Sequence, residues 1–307
     1  MTRVAIVANP AKQEVVEARP RLDAVCERHG LERPLWFETT PEDPGSGQTR
    51  KALEQGADLV CAFGGDGTVR AVAAVLAGSD VPLGLLPGGT GNLLARALSL
   101  TSDDVEDAMQ VVLDGRDERI DVGTLRFDGD DEEHVFLVMA GVGLDAETMV
   151  RTDERLKAVV GWPAYILGGL RAVVGRGFTA RVQVQGGSPV RRTTRAVVIG
   201  NSGRLQGGVE LMPDARLDDG LLDVAVVAPR GLVGWARTLA TVVTSGRGHR
   251  HLDRHQGAAV RVRTDRPIAT QLDGDPVGDH REVEARVRAG ALTVRVAREA
   301  HEVRGRD

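Results

Sequence analysis

The sequence predicts an N-terminal α/β domain with a doubly wound parallel sheet, followed by a C-terminal all-β domain. Three observations support this fold class. Short apolar runs alternate with segments of helical period, and two of those runs end in glycine-rich turns. After about residue 119 this alternation gives way to short runs in which apolar and polar residues alternate. The length of 307 residues agrees with two domains.

The elements of the first domain follow from the apolar runs and the residues that interrupt them. Asn9-Pro10 ends the first run, and Thr39-Thr40 closes the second. The predicted strands are Arg3–Ala8, Glu32–Glu38, Leu59–Phe63 and Val81–Leu86. The predicted helices are Val15–His29, Gln48–Gln55, the LLARAL segment after Asn92, and Asp103–Leu113.

The second domain is predicted from nine strand-like runs, beginning with RIDVGTLRF and ending with ALTVRVA. Acidic residues 128–133 are predicted to form an exposed hairpin loop. Two helices, Asp153–Val174 and Leu232–Ser245, are expected to interrupt the strands. We therefore predict domains at residues 1–124 and 125–298 and a flexible tail at 299–307.

Composition excludes several classes of protein. The net charge is −5 and no basic segment is interleaved with aromatic residues, which argues against nucleic-acid binding. The two cysteines, Cys26 and Cys61, have no metal-ligand or disulfide spacing, which indicates reduced thiols. No signal peptide and no apolar run of about 18 residues is seen. We expect a cytoplasmic protein, with peripheral contact to the inner face of the membrane.

The stretch DLVCAFGGDGTVR, residues 58–70, predicts a buried strand, a glycine turn and the start of a helix. Glycines let the backbone approach a ligand closely, and unpaired N–H groups at a helix start favour an anion. Asp66 would repel a phosphate unless a divalent cation or an ordered water lay between them. The stretch therefore predicts a nucleotide and metal site, with a plain strand–helix turn as the alternative.

A second strand ends in PGGTGN, residues 87–92, so two such turns follow one another. The carboxyl ends of strands in an open α/β sheet are where ligands bind, and two neighbouring turns could hold one triphosphate. Asn9 and Thr40 end the first two strands at the same edge, and Lys12 can reach a phosphate from there. The spacing matches neither the GxxxxGK[ST] loop nor the GxGxxG fingerprint.

Five further motifs follow in order: IDVGT (120–124), GVGLDAE (141–147), GNSGRLQGG (200–208), LMPDARLDDGLLDV (211–224) and QLDGDP (271–276). With GGDGT and PGGTGN, this ordered set resembles the diacylglycerol kinase catalytic-domain family, which includes bacterial soluble lipid kinases and sphingosine kinases. The resemblance covers nearly the whole chain. It implies a nucleotide-binding α/β domain and a β-sandwich domain, with the active site in the cleft between them.

The resemblance also implies roles for individual residues. Asp66 would organise Mg²⁺–ATP, directly or through water, and Asp121 would belong to the same acidic network. The residues implied to line the ATP site are Asn9, Lys12, Thr40, Gly64, Gly65, Asp66, Gly67, Thr68, Gly89, Thr90 and Asn92.

In the second domain the resemblance implies a structural Mg²⁺ and a general base. The Mg²⁺ ligands would be the Asp219 carboxylate and the carbonyl groups of Arg216 and Leu221, a set of oxygen ligands typical of magnesium. The base would be Asp275, which stands where the family usually has glutamate. Asp273 is the alternative base.

The function implied by this set is ATP-dependent, Mg²⁺-dependent phosphorylation of a lipid hydroxyl at the membrane surface. The acceptor stays open between diacylglycerol and related lipids, and a homodimer is one of the states open to the chain. Two alternatives are an NAD kinase-like enzyme and a non-catalytic regulator that responds to nucleotide.

Other segments and residues carry weaker signals. The segment Ala158–Leu170 is assigned either to a core helix or to membrane contact, and residues 249–255 either to a solvated loop or to anionic lipid headgroups. Asp145 and Glu147 are candidates for bracing the cleft. Asn201 is assigned either to the cleft or to a turn.

Overall fold

The computed structural model describes residues 2–89, 91–100, 102, 104–143, 177–203, 212–228 and 252–298. Two compact units are present: Met1–Ile120 with Ala291–Asp307, and Asp121–Gly290. The chain passes between the units within strand β5 (Arg116–Phe127) and again within strand β14 (Asp275–Val296). The predicted domain scheme did not include this return, because a period of two residues identifies a strand without showing which sheet it joins.

The first unit is a parallel α/β domain, as predicted. Its strands pair in the order β2, β1, β3, β4, and residues near the end of β14 add a parallel strand beside β4. Its strands are β1 (Val4–Ala8), β2 (Leu35–Glu38), β3 (Leu59–Gly64) and β4 (Leu83–Pro87). Its helices are α1 (Gln13–Arg28), α2 (Ser46–Glu54), α3 (Asp66–Leu76), α4 (Leu93–Ala97) and α5 (Val105–Asp114).

Helices cover both faces of this sheet, which explains why its strands are almost entirely apolar. On one face, α1 and α5 pack with side chains such as Ile6, Cys61 and Phe63 to form a buried cluster. On the other face, the backbone of Gly45, just before α2, lies against Val7 and Val72 of α3. The doubly wound arrangement predicted from the sequence is therefore confirmed.

The second unit is built from antiparallel strands, which confirms the predicted all-β domain. Besides β5 and β14 its strands are β6 (His134–Phe136), β7 (Met139–Val142), β8 (Phe178–Val184), β9 (Val190–Thr194), β10 (Ala196–Gly200), β11 (Leu222–Val227), β12 (Leu252–Gly257) and β13 (Ala259–Leu272). The first part of β13 pairs with β8 and its last part pairs with β7. Its pairing with β14 shifts register between Arg263 and Ile268. Side chains of β8, which pairs with the first part of β13, and of β7, which pairs with its last part, belong to one buried cluster, as in a β-sandwich.

The predicted acidic loop at 128–133 joins β5 to β6, so this prediction is also confirmed. Asp128 begins the loop in a left-handed conformation. Burial acts to raise the pKa of its carboxyl group, but hydrogen bonds from His280 and from the N–H groups of Glu282 and Arg281 outweigh it and lower the pKa. The His280 ring also stacks on Phe127, with ring centroids 4.1 Å apart.

The predicted helices Asp153–Val174 and Leu232–Ser245 and the tail 299–307 lie outside the described residues, as do Ala158–Leu170, Asp145 and Glu147. Across the described ranges, no helix combines the length and the apolar character that a membrane span requires.

Candidate functional site

The sheet of the first unit reverses its strand order between β1 and β3, because β2 lies on the other side of β1. Ligands bind in open α/β sheets at such a switch point, outside the carboxyl ends of the strands. Asn9 follows β1 there, and its N–H group donates to the Phe63 carbonyl oxygen of β3 at 2.9 Å. Its side-chain oxygen accepts from the Ala11 N–H at 3.0 Å, which turns the chain towards Lys12 and α1. Thr40 lies after β2, is exposed, and accepts from the Asp43 N–H group at 3.1 Å.

The two glycine turns lie against each other, as the sequence predicted, because β3 and β4 are neighbouring parallel strands. A Cβ atom built on Gly88 would lie 2.8 Å from the Gly64 nitrogen, and one on Gly89 would lie 2.9 Å from the Gly65 Cα. The first turn is itself tight, since a Cβ on Gly64 would lie 2.6 Å from the Thr68 hydroxyl. These glycines are therefore required for the close approach of backbone to backbone.

Gly65 differs from its neighbours. Its backbone angles, φ −87° and ψ −174°, are open to any residue. A Cβ atom built on it would have no described atom within 4 Å. Neither backbone conformation nor packing against the described residues explains the glycine. Gly65 comes directly before α3, whose first residues, Asp66 and Gly67, are half-exposed. The open space beside Gly65 therefore lies at the start of this helix.

Asp66 joins the two turns. Its Oδ1 atom accepts a hydrogen bond of 2.6 Å from the Leu93 N–H, the first residue of α4. The carboxylate therefore stabilises the start of α4 from the start of α3. The sequence predicted either a ligand or a plain strand–helix turn at Asp66, and local pattern gives no sign of this contact across 27 positions.

The remaining predicted ATP-site residues of the first unit lie near the same turns. The Lys12 ammonium nitrogen would be 3.5 Å from a Cβ on Gly89, so it lies beside the second turn. Asn92 adopts a left-handed conformation, and its amide group donates to the Gly89 carbonyl at 2.8 Å. Thr68 is buried against the turn. Thr90 lies outside the described residues.

In the second unit, the QLDGDP motif forms a two-residue hairpin turn between β13 and β14. Asp273 and Gly274 both have positive φ, and Leu272 pairs with Asp275 across the turn. The Asp273 carboxylate is buried and accepts backbone N–H groups of Leu137, Val138 and Met139 at 2.8–3.0 Å. It therefore anchors the segment before β7, a role that the prediction of an alternative base did not include. Asp275 is half-buried at the first position of β14.

Asp121 is almost completely buried, and its carboxylate is held by two glycine N–H groups. One oxygen accepts from Gly220 at 2.6 Å and the other from Gly290 at 2.7 Å. Gly220 belongs to the LDDGLLD turn. Asp121 thus fixes that turn, and its predicted part in the Mg²⁺–ATP network stays a prediction.

Asn201 is fully buried next to Asp121, and the sequence left its role open between the cleft and a turn. Its amide nitrogen donates to the carbonyl oxygens of Asp121 and Leu137 at 2.8 and 2.9 Å. Its side-chain oxygen has no hydrogen-bond partner among the described residues. Asn201 and Asp273 therefore hold the same short segment, residues 137–139. Asn201 donates to a carbonyl oxygen of the segment, and Asp273 accepts from its N–H groups.

The predicted structural metal set lies on the LDDGLLD turn. Asp219 is exposed, and its Oδ1 atom accepts the Leu221 N–H at 3.0 Å. Arg216 pairs with Asp218 at 3.0 Å, and this ion pair lowers the pKa of Asp218. Burial, with smaller contributions from Asp219 and Asp214, raises the pKa of Asp223 to about 6. The turn is therefore locally acidic, and one carboxylate with backbone carbonyl groups suits Mg²⁺.

No cluster of three His, Cys, Asp or Glu side chains at metal-binding distances occurs within the part of the chain that the structure describes. The predicted set needs only one carboxylate, so this finding does not bear on it. At the first-unit turns, the fit of a nucleotide rests on the space beside Gly65, the α3 N–H groups, and the charges of Lys12 and Asp66.

Comparison with known proteins agrees with this architecture. Residues 3–125 match the family model described as diacylglycerol kinase catalytic domain. Residues 138–296 match the YegS C-terminal NAD kinase β-sandwich-like domain. A protein of Pseudomonas aeruginosa strain UCBPP-PA14 described as "Probable lipid kinase YegS-like" is 34% identical over 282 residues, covering 88% of this chain and 87% of the relative.

A protein of Cronobacter sakazakii with the same description is 32% identical over 252 residues, covering 80% of each chain. Among solved structures, a diacylglycerol kinase from Bacillus anthracis str. Sterne superposes with a TM-score of 0.74 at 22% identity, covering 96% of both chains. That likeness supports the fold.

Proposed function

Because the chain belongs to the YegS-like group of the diacylglycerol kinase catalytic-domain family, we propose that it transfers the γ-phosphoryl group of ATP to a lipid hydroxyl with the help of Mg²⁺. The chain is a lipid kinase by its family. The observation that carries the nucleotide part is the space beside Gly65, at the start of α3 and next to Asp66, where a Cβ atom would have no described atom within 4 Å. A glycine that the described fold does not need is explained by a ligand that approaches its backbone.

The residues of the first unit hold and orient the nucleotide in this proposal. The N–H groups at the start of α3 and the Lys12 ammonium group bind phosphate oxygens, because both present positive charge beside the glycine turns. Asp66 binds the Mg²⁺ of the nucleotide, directly or through water. When bound, that Mg²⁺ neutralises charge on the phosphates and on the developing transition state.

The second unit supplies the base and the structural metal. Asp275 accepts the proton of the lipid hydroxyl group. The hydroxyl oxygen bonds to the γ-phosphorus as the bond between that phosphorus and the bridging oxygen of ADP breaks. Asp273 is a weaker candidate, because its oxygens already accept three backbone N–H groups. Asp219 and the carbonyl groups of Arg216 and Leu221 would hold a second Mg²⁺, which would keep the LDDGLLD turn in shape.

Diacylglycerol or a related lipid is the proposed acceptor, and a total lipid extract tests this without choosing one in advance. The protein is incubated with the extract, Mg²⁺ and labelled ATP, and the product is identified by mass spectrometry. We expect a labelled phospholipid, with Asp275→Asn lowering its formation by about 100-fold or more, as for loss of a general base. Asp275→Glu is expected to keep or raise activity. Formation of NADP from NAD without any labelled lipid would contradict the proposal.

Replacing Gly65 by alanine is expected to weaken ATP binding at least about tenfold while leaving the stability of the fold within about 0.5 kcal/mol of wild type. The added methyl group meets no described atom but occupies the space assigned to the phosphates. Calorimetric titration with ATP and a denaturant unfolding curve measure the two effects separately.

Gly88→Ala is the matched contrast for Gly65→Ala. Its methyl group would lie 2.8 Å from the Gly64 backbone nitrogen, so it must displace the first turn. We expect this variant to lose about 1–3 kcal/mol of stability. Unchanged ATP affinity in Gly65→Ala would contradict the proposal that the phosphates bind beside Gly65.

A further inference from the structure

The hairpin of β8 and β9 continues the sheet from β13 and aligns three arginines on neighbouring strands. Arg191 of β9 pairs in register with Arg181 of β8, which in turn pairs with Arg263 of β13. Residues directly opposite each other share one face of a sheet. The flanking residues Ala180 and Val182 are buried, so this face of β8 points to solvent. We call these three residues the arginine row.

Like charges directly opposite each other destabilise a sheet unless something neutralises them. Arg263 has such a partner, since its guanidinium group contacts Glu282 at 2.8 Å. Arg181 and Arg191 are both exposed, and neither forms an ion pair with any residue that the structure describes. Within the described part of the chain, two adjacent charges at the outer end of the row therefore lack an acidic partner.

The neighbours on the same face do not compensate these charges. Thr179 and Thr193 pair with each other in the next row, and Gln183 lies on the other side of Arg181. The acidic residue beyond Thr179 is Asp265, whose Oδ2 accepts the Thr179 N–H at 3.1 Å and whose Oδ1 lies 3.5 Å from Arg266. The outer strands thus present guanidinium and hydroxyl groups without a carboxylate of their own.

We propose that the arginine row docks the protein on an anionic phospholipid surface. This inference rests on the proposed function, because an acceptor hydroxyl of a membrane lipid lies at the interface between bilayer and water. One guanidinium group can bind two oxygens of a phosphate group at once. A row of guanidinium groups on a solvent-facing sheet can therefore contact several lipid headgroups together. Because the overall net charge is −5, a local basic face would favour approach to a negative membrane.

The test is sedimentation of the full-length protein with vesicles in the absence of ATP. Vesicles contain phosphatidylcholine alone or with about one-third phosphatidylglycerol, at low and high salt. We expect wild type to bind the anionic vesicles in a salt-sensitive way, and the double variant Arg181→Gln, Arg191→Gln to bind them at least about tenfold more weakly.

The matched control is the double variant Arg33→Gln, Arg192→Gln, which has the same net charge. Arg33 and Arg192 are also exposed, but each is paired with an acidic residue, Glu27 and Asp253 respectively. Arg192 is opposite the buried Ala180, on the other side of the hairpin from the row. We expect this control to bind anionic vesicles within about twofold of wild type, and thermal unfolding of both variants checks that they fold.

Equal loss in both double variants, or no vesicle binding by wild type, would overturn the docking proposal. Equally tight binding of wild type to a short DNA duplex, lost in the row variant, would assign the row to nucleic acid instead. None of these outcomes depends on catalysis. Transfer of labelled phosphate to detergent-dispersed lipid by wild type tests the kinase proposal independently.

Discussion

Replacing Asp66 by asparagine is expected to lower kcat/KM for lipid phosphorylation by about 100- to 1,000-fold while the protein stays folded. The reason is that the two functions of this side chain can be separated. Asparagine keeps an oxygen that accepts the Leu93 N–H, now 2.6 Å from Oδ1, so the start of α4 remains capped. It removes the negative charge that the proposed Mg²⁺–ATP complex requires.

Asp66→Ala is the informative partner variant. It removes both the charge and the acceptor, so we expect the same loss of transfer together with a loss of about 1 kcal/mol of stability. Radiolabelled phosphate incorporation and denaturant unfolding measure the two effects. Near wild-type transfer in either variant would show that Asp66 serves only to connect the two turns.

Replacing Asp273 by alanine is expected to destabilise the second unit by about 3–5 kcal/mol. Three N–H groups of the 137–139 segment would lose their acceptor, and Leu137 and Val138 are almost completely buried. Water cannot easily replace the carboxylate there, so most of the penalty of unsatisfied donors would remain. Urea or guanidinium unfolding followed by circular dichroism measures the change.

Asp279→Ala is the control, because Asp279 is an exposed aspartate of β14 in the same unit. Its removal is expected to change the unfolding free energy by less than about 0.5 kcal/mol. Asp273→Asn distinguishes anchor from base: it keeps one accepting oxygen and much of the stability. If it folded like wild type and lost the transfer that Asp275→Asn retained, Asp273 would replace Asp275 as the proposed base.

Local pattern was sufficient for the elements of the first unit. Each predicted strand agrees with an observed one to within about three residues, because a buried parallel strand is a short apolar run ended by turn residues. The contact between the two glycine turns was predictable for the same reason. Two strand–turn–helix units in succession place their turns at one edge of a parallel sheet.

The contacts that fix the candidate site were not predictable in this way, because they join residues far apart in the sequence. Asp121 binds Gly220 and Gly290, which are 99 and 169 positions away. Asp273 binds a segment about as distant, and a buried aspartate that accepts backbone N–H groups has the same local pattern as a catalytic one. A motif therefore indicates that a side chain has a role, and its contacts in the folded protein show whether that role is structural or catalytic.

The return of β14 to the first unit has a consequence for how the protein is made. Val294 pairs with Leu83 beside β4, and both side chains are fully buried. During synthesis from the N-terminus, β4 stays an open edge until the segment around Val294 has emerged from the ribosome. Folding of the first unit is therefore completed after synthesis of the second unit, and a truncated product ending near residue 124 would be prone to aggregate through that edge.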